Sequence, residues 1–240
     1  MSVASMKIWL FLLSTASAFA QIERPMVGVM LDSTGGARPV FGTLASATPG
    51  DAILTGVLSM QCSASECLMK TLDQIISTTG KAADAPAGPA IFGAGYVYFP
   101  ASQQLARWKE GALEPIPFTP DGEILALRPN GDGLDYAVER DGATWIEHRS
   151  LLDDSLTALN AFAPARAAML LDDAVLLALD DAVHLLQPDG VDTMLPVGGV
   201  ESFIAMNDRH NRTIEFVTPQ GMWAFDLATH TLALLPGVAP

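Results

Sequence analysis

Four carboxylates, Asp84, Asp121, Glu123 and Glu201, recur at comparable places between apolar runs and are the side chains best suited to hold a ligand directly. An oxygen-rich set of that kind suits a hard cation such as calcium. The competing reading is that they are solvated charges that keep an acidic protein dispersed and its sheet edges apart. Cys62 and Cys67 are the chain's two cysteines. Glu66 is the one carboxylate between them and no histidine is near, so the pair is a poor zinc site. The spacing is not C-x-x-C either, which argues against a reactive redox pair. A disulfide across a short hairpin loop is the expectation.

The other reactive residue types lack the company that chemistry requires. His148, His184, His210 and His230 are far apart and form no H-x-x-H or H-E-x-x-H pair. No serine stands in a G-x-S-x-G elbow, and no phosphate-cradling G-x-x-x-x-G-K-[ST] loop occurs. Asn130-Gly131-Asp132-Gly133-Leu134-Asp135 has the look of a calcium loop but lacks its terminal bidentate glutamate, so it reads as a turn. Asn211-Arg212-Thr213 fits an N-glycosylation acceptor. An enzyme is therefore the secondary expectation.

What would position these residues is a repeat. Turn-like segments at Ser102, Asp141, Asp180 and Pro219 are spaced by 39 residues, and one further step back from Ser102 reaches Ser63 inside the cysteine loop. Before these turns lie β-prone runs at 53–58, 96–99, 134–138, 174–179 and 213–217. After them lie 67–70, 105–108, 144–148, 183–186 and 222–225. Further turns, such as Lys109-Glu110-Gly111 and Pro188-Asp189-Gly190, lead to another strand. An apolar run opens each later unit, as in Ala90-Ile91-Phe92 and Phe203-Ile204-Ala205-Met206.

Four short strands in about 39 residues resembles the blade of a bacterial secreted β-propeller repeat protein, with a WD40-like period. Trp108, Trp145 and Trp223 fall in third strands, but the residues after them are Lys109, Ile146 and Ala224, so the WD40 signature itself is missing. The expected fold is all-β, a propeller of about five full blades plus an N-terminal half-blade formed by 26–31 and 38–42, with a β-sandwich as the alternative. Some propellers hold a cation at the channel mouth with ligands from loops entering the innermost strands. The resemblance thus makes Asp84, Asp121, Glu123 and Glu201 the candidate ligands for calcium, although solvated loop charges and no cofactor are the leading expectation. An incomplete ring would call for an oligomer.

Residues 1–20 carry Lys7, an apolar run Ile8–Leu13 and the small-residue ending Ala18-Phe19-Ala20, which is the pattern of a secretory signal peptide. The mature chain, 21–240, is then expected to be a single propeller domain in a secreted or periplasmic setting. Loss of Lys7 leaves 27 acidic against 12 basic side chains, or −15. That charge repels nucleic acid and anionic membranes and favours cations or a basic partner. No later apolar stretch approaches the roughly 18 residues of a membrane span. Three functions remain in view: a binding scaffold for a protein, peptide or glycan, a calcium-dependent lactonase-like hydrolase, and a passive envelope module.

Overall fold

The computed structural model describes residues 26–43, 46–63, 65–206 and 213–235. The export-like segment 1–20, His210, and Asn211 and Arg212 of the glycosylation pattern lie outside them. Strands follow each other through tight turns and pair only with their chain neighbours, giving six antiparallel sheets. The first holds β1 (Met26–Leu31), β2 (Ala37–Phe41) and β3 (Thr48–Pro49). The second holds β4 (Ser59–Cys62), β5 (Cys67–Lys70), β6 (Gln74–Ser77) and β7 (Ala82–Asp84). The third runs through β8 (Ile91–Gly93), β9 (Tyr96–Phe99), β10 (Gln104–Lys109) and β11 (Ala112–Ile116). The fourth, with longer strands, comprises β12 (Glu123–Asn130), β13 (Gly133–Arg140), β14 (Ala143–Ser150) and β15 (Leu156–Phe162). The fifth comprises β16 (Ala167–Leu170), β17 (Val175–Ala178), β18 (Val183–Leu186) and β19 (Asp192–Leu195). The sixth comprises β20 (Ser202–Ala205), β21 (Thr213–Thr218), β22 (Gly221–Asp226) and β23 (Thr231–Leu234).

A lone sheet of this size cannot cover both its faces, so the sheets stack side by side around an axis. The innermost strands touch in the order β4, β8, β12, β16, β20 and back to β4. Each junction between sheets has its own apolar cluster. Phe92 and Trp108 meet Leu68 and Ile75 across the second junction, and Tyr98 and Leu105 meet Ile124 and Tyr136 across the third. Ala137 and Ile146 meet Ala168 and Leu177 across the fourth, and Leu176 and Leu185 meet Ile214, Phe216 and Phe225 across the fifth. The first sheet closes the circle, with Val29 and Ala37 on Met60 and Met69 of the second sheet, and Met30 and Val40 on Met222 and Ala224 of the sixth. Burial of one such large side chain contributes about 1.5–3 kcal/mol, so the cohesion is spread around the ring.

Inner strands approach closely where side chains permit. A Cβ on Gly93 of β8 would lie 2.0 Å from the carbonyl oxygen of Leu127 on β12, so only glycine fits there.

Two expectations need correction. The ring has six blades rather than five and a half, because Thr48 and Pro49 pair with Phe41 and Val40 and give the N-terminal sheet a third strand. That closed ring also removes the sandwich alternative. The second correction concerns the second blade. The turns at Ser102, Asp141, Asp180 and Pro219 join second to third strands, whereas the Cys62–Cys67 loop joins β4 to β5, a first to a second strand. The equivalent turn there is Thr71–Asp73, about 30 residues before Ser102. The run 53–58 is not a strand beyond one bridge, Ala37 to Leu54. It crosses the end of the first hairpin, where Val57 N–H donates to Gly35 O and Ala37 N–H to Leu54 O. The disulfide is present as expected, joining direct cross-strand partners.

Candidate functional site

Because the five later blades each begin with their innermost strand, the N-terminal ends of β4, β8, β12, β16 and β20 converge on one mouth of the central channel. Backbone bonds fix these entries. Leu58 N–H donates to Lys70 O, Glu201 N–H to Val217 O and Arg166 N–H to Ala178 O, at 2.7, 2.9 and 2.8 Å. Side chains reinforce two of them: Ser59 Oγ accepts from Ala90 N–H at 2.9 Å, and Thr144 Oγ1 from Ala165 N–H at 2.8 Å. Gly122, at φ +132°, turns the chain into β12, where a Cβ would stand 2.4 Å from Glu139 O.

The channel encloses about 430 Å³. Half-buried Ile91, Leu125, Leu170 and Phe203 supply its apolar wall, with Ser59 and Gln61 as neutral polar groups. Its charged lining residues are Glu123, Arg166 and Glu201. A second cavity, also about 430 Å³, opens between the fourth and fifth blades and shares Glu123, Leu125 and Arg166 with the channel. Its remaining charged lining is Glu139, Asp180 and Asp181. Arg166 Nε pairs with Asp180 Oδ1 at 2.9 Å, with both side chains largely exposed.

Of the four anticipated cation ligands, Glu123 and Glu201 reach the channel. Asp121 lies in the exposed turn before β12, and Asp84 ends β7, the outermost strand of its blade, where Gln74 Nε2 donates to it at 3.3 Å. Among the described residues no three of His, Cys, Asp and Glu come together in a way that could hold a metal ion. Composition had not pointed to Arg166, Glu139, Asp180 or Asp181. They are dispersed in sequence and meet only through the radial stacking of blades.

The segment 130–135 spans the other end of β12, the turn at Gly131 and Asp132 and the start of β13, within a hydrogen-bonded cluster. Asp135 accepts from Arg128 Nη2 at 2.8 Å and Asn130 Nδ2 at 2.9 Å, and its Oδ1 is 2.8 Å from His148 Nδ1. Burial pushes the Asp135 carboxyl up, but these partners outweigh it and hold the group below the usual range. His184 sits 3.0 Å from both oxygens of Asp192 on the neighbouring strand.

Lys70 and Glu215 are buried titratable side chains, Lys70 standing beside the mouth, opposite Ser59 on β4. Lys70 is fully buried and its Nζ donates to the carbonyls of Thr71 and Leu72, while burial lowers its pKa. Glu215, on β21, is fully buried where the sixth blade meets the first. Its Oε2 accepts from Leu31 N–H at 3.3 Å, and its Oε1 has no hydrogen-bond partner among the described residues. Burial, with a smaller push from the Asp32 carboxylate, raises its pKa to about 8 despite the Leu31 bond. Asp32 behaves oppositely. Its burial is outweighed by bonds from Arg38, Thr34 and Gly36, which bring it down to about 2.

No family model matches the chain, and no curated protein matches it. Among solved structures it is similar to a chain of a nidogen/laminin complex, at 10% identity and a TM-score of 0.58, over 85% of this chain and 91% of that one. PorZ, a bacterial surface component of the type-IX secretion system of Porphyromonas gingivalis, is 14% identical over 90% of this chain and 39% of its own, with a TM-score of 0.48. A streptogramin B lyase is 12% identical over 77% of this chain and 70% of its own, at 0.46. The first of these likenesses shows the fold alone, and the two more distant ones add nothing to it. The chain is a six-bladed β-propeller.

Proposed function

We propose that this protein is an extracytoplasmic binding scaffold that receives a ligand at the channel mouth formed by the N-terminal ends of its innermost strands. One observation carries the reading: a channel of about 430 Å³ in which Ile91, Leu125, Leu170 and Phe203, from four different blades, converge as a half-buried apolar wall. That volume lies within the ~300–1,000 Å³ range of ligand pockets, and an apolar wall with a few charged groups at its entrance is their usual composition. The cross-strand disulfide and the export-like first twenty residues support a site of action outside the cytoplasm.

The test is capture from an envelope extract by the mature protein and by a Leu125→Trp variant that fills the channel. Partners retained by the first and lost by the second support the reading. Partners retained equally by both would move the binding surface away from the channel.

A further inference from the structure

The proposed scaffold has a charge pattern at its mouth that selects among ligands. Glu123 and Glu139 stand directly opposite each other on β12 and β13. Like charges in that position repel and weaken a sheet. Among the described residues neither carboxylate has an ion pair. Asp180 and Asp181 join them in the cleft between the fourth and fifth blades, and Arg166, the one cation among its described lining residues, is already paired with Asp180. Glu201 adds another carboxylate on the adjoining channel. Glu123 and Glu139, carboxylates without an ion pair, thus stand together at the mouth, beside an apolar cavity.

Resting on the binding reading above, we infer that the occupant is an extended peptide with an arginine flanked by apolar residues, its guanidinium in the Glu123/Glu139 cleft and an apolar neighbour in the channel. Two facing carboxylates suit the planar, multi-donor guanidinium better than a single point charge. The aliphatic stem of such a side chain has Leu125 and Leu179 to lie along, while its head reaches the carboxylates. The overall charge of −14 steers a cationic peptide toward the protein.

Three blocked tripeptides test this: acetyl-Leu-Arg-Leu-amide, the same peptide with citrulline, which keeps the shape and loses the charge, and the same peptide with glutamate. Calorimetric titration at low salt should give the arginine peptide on the order of tenfold tighter binding than the citrulline one, the sum of two partly exposed ion pairs. The glutamate peptide should be weaker still. In Glu123→Gln/Glu139→Gln the arginine advantage should vanish, while the melting temperature rises because the cross-strand repulsion is relieved. A loss of binding in that variant therefore cannot be a loss of fold.

Equal binding of the arginine and citrulline peptides, abolished by Leu125→Trp, would overturn the choice of ligand and leave the channel reading standing. Failure of all three to bind the wild-type protein would overturn the inference too, and the extract capture would then decide the channel reading separately.

Discussion

Glu215 offers the sharpest quantitative check on the packing between the first and sixth blades. Its carboxyl titrates near 4.5 when exposed and at about 8 in the folded protein, where it is fully buried beside Leu31 N–H. Between those values the native state holds a proton that the unfolded chain has released. Stability must then fall as pH rises, and the contribution is fully present below 4.5 and lost as pH passes through about 8. Each pKa unit is worth about 1.4 kcal/mol, so the accumulated penalty is about 3 kcal/mol at pH 7 and about 5 kcal/mol above pH 8. Glu215→Gln keeps an acceptor for Leu31 N–H and removes the ionisation. At pH 7 it should raise the melting temperature by roughly 6–12 °C in a chain of this size. Urea unfolding of both proteins at pH 5, 6, 7 and 8 reads the effect as a difference, in which groups common to both cancel. Asp32, the charged neighbour, titrates at about 2 and stays outside this window. The stability gap between variant and wild type should widen by about 1.4 kcal/mol per pH unit until about pH 8. A gap that stays constant with pH would refute a protonated, solvent-excluded carboxyl at this junction.

Gly93→Ala should cost about 1–3 kcal/mol or more by forcing β8 and β12 apart, read as a lowered urea midpoint with unchanged slope, because its Cβ would meet Leu127 O at 2.0 Å. Cys62→Ser/Cys67→Ser should lose about 2 kcal/mol, since the closed loop is short, and the oxidised wild-type protein should show no free thiol when denatured. Millimolar calcium against excess EDTA should leave the melting temperature unchanged, because Asp84 and Asp121 do not join Glu123 and Glu201 at the channel. A clear calcium-dependent rise would instead assign those two carboxylates to a cation site.

The later blades were legible because their runs are long enough to show both strand composition and the turn that follows. Tyr96–Phe99 and Val183–Leu186 match β9 and β18 residue for residue, and the opening runs at Ile91, Ile124, Ala168 and Phe203 fall in the innermost strands. The second blade misled for a physical reason. Its strands are short, and the apolar residues 53–58, which look like a strand, instead bond across the first hairpin with Gly56 at φ +72°. The third strand of the first blade is two residues, one of them Pro49, too brief for any alternation to appear. Glu215 reads as one polar residue in an alternating strand. Only the first sheet, stacked against that face, turns its outward position into a buried one. The acidic mouth was half visible: Glu123 and Glu201 precede apolar runs, whereas Arg166 and the Asp180–Asp181 pair owe their place to neighbouring blades.

The junction of first and sixth blades also sets a timetable. Leu31 and Glu215 are 184 residues apart, and Met30 and Val40 share their apolar cluster with Met206, Met222, Ala224 and Leu235 of the last blade's region. Contacts of such separation form slowly, because the intervening chain must be ordered before they can be made. During synthesis the first sheet therefore waits with one apolar face bare while five blades are built beyond it. Until the sixth blade is in place that face is open to mispairing, because exposed apolar surface and unpaired edges make partly folded chains aggregation-prone.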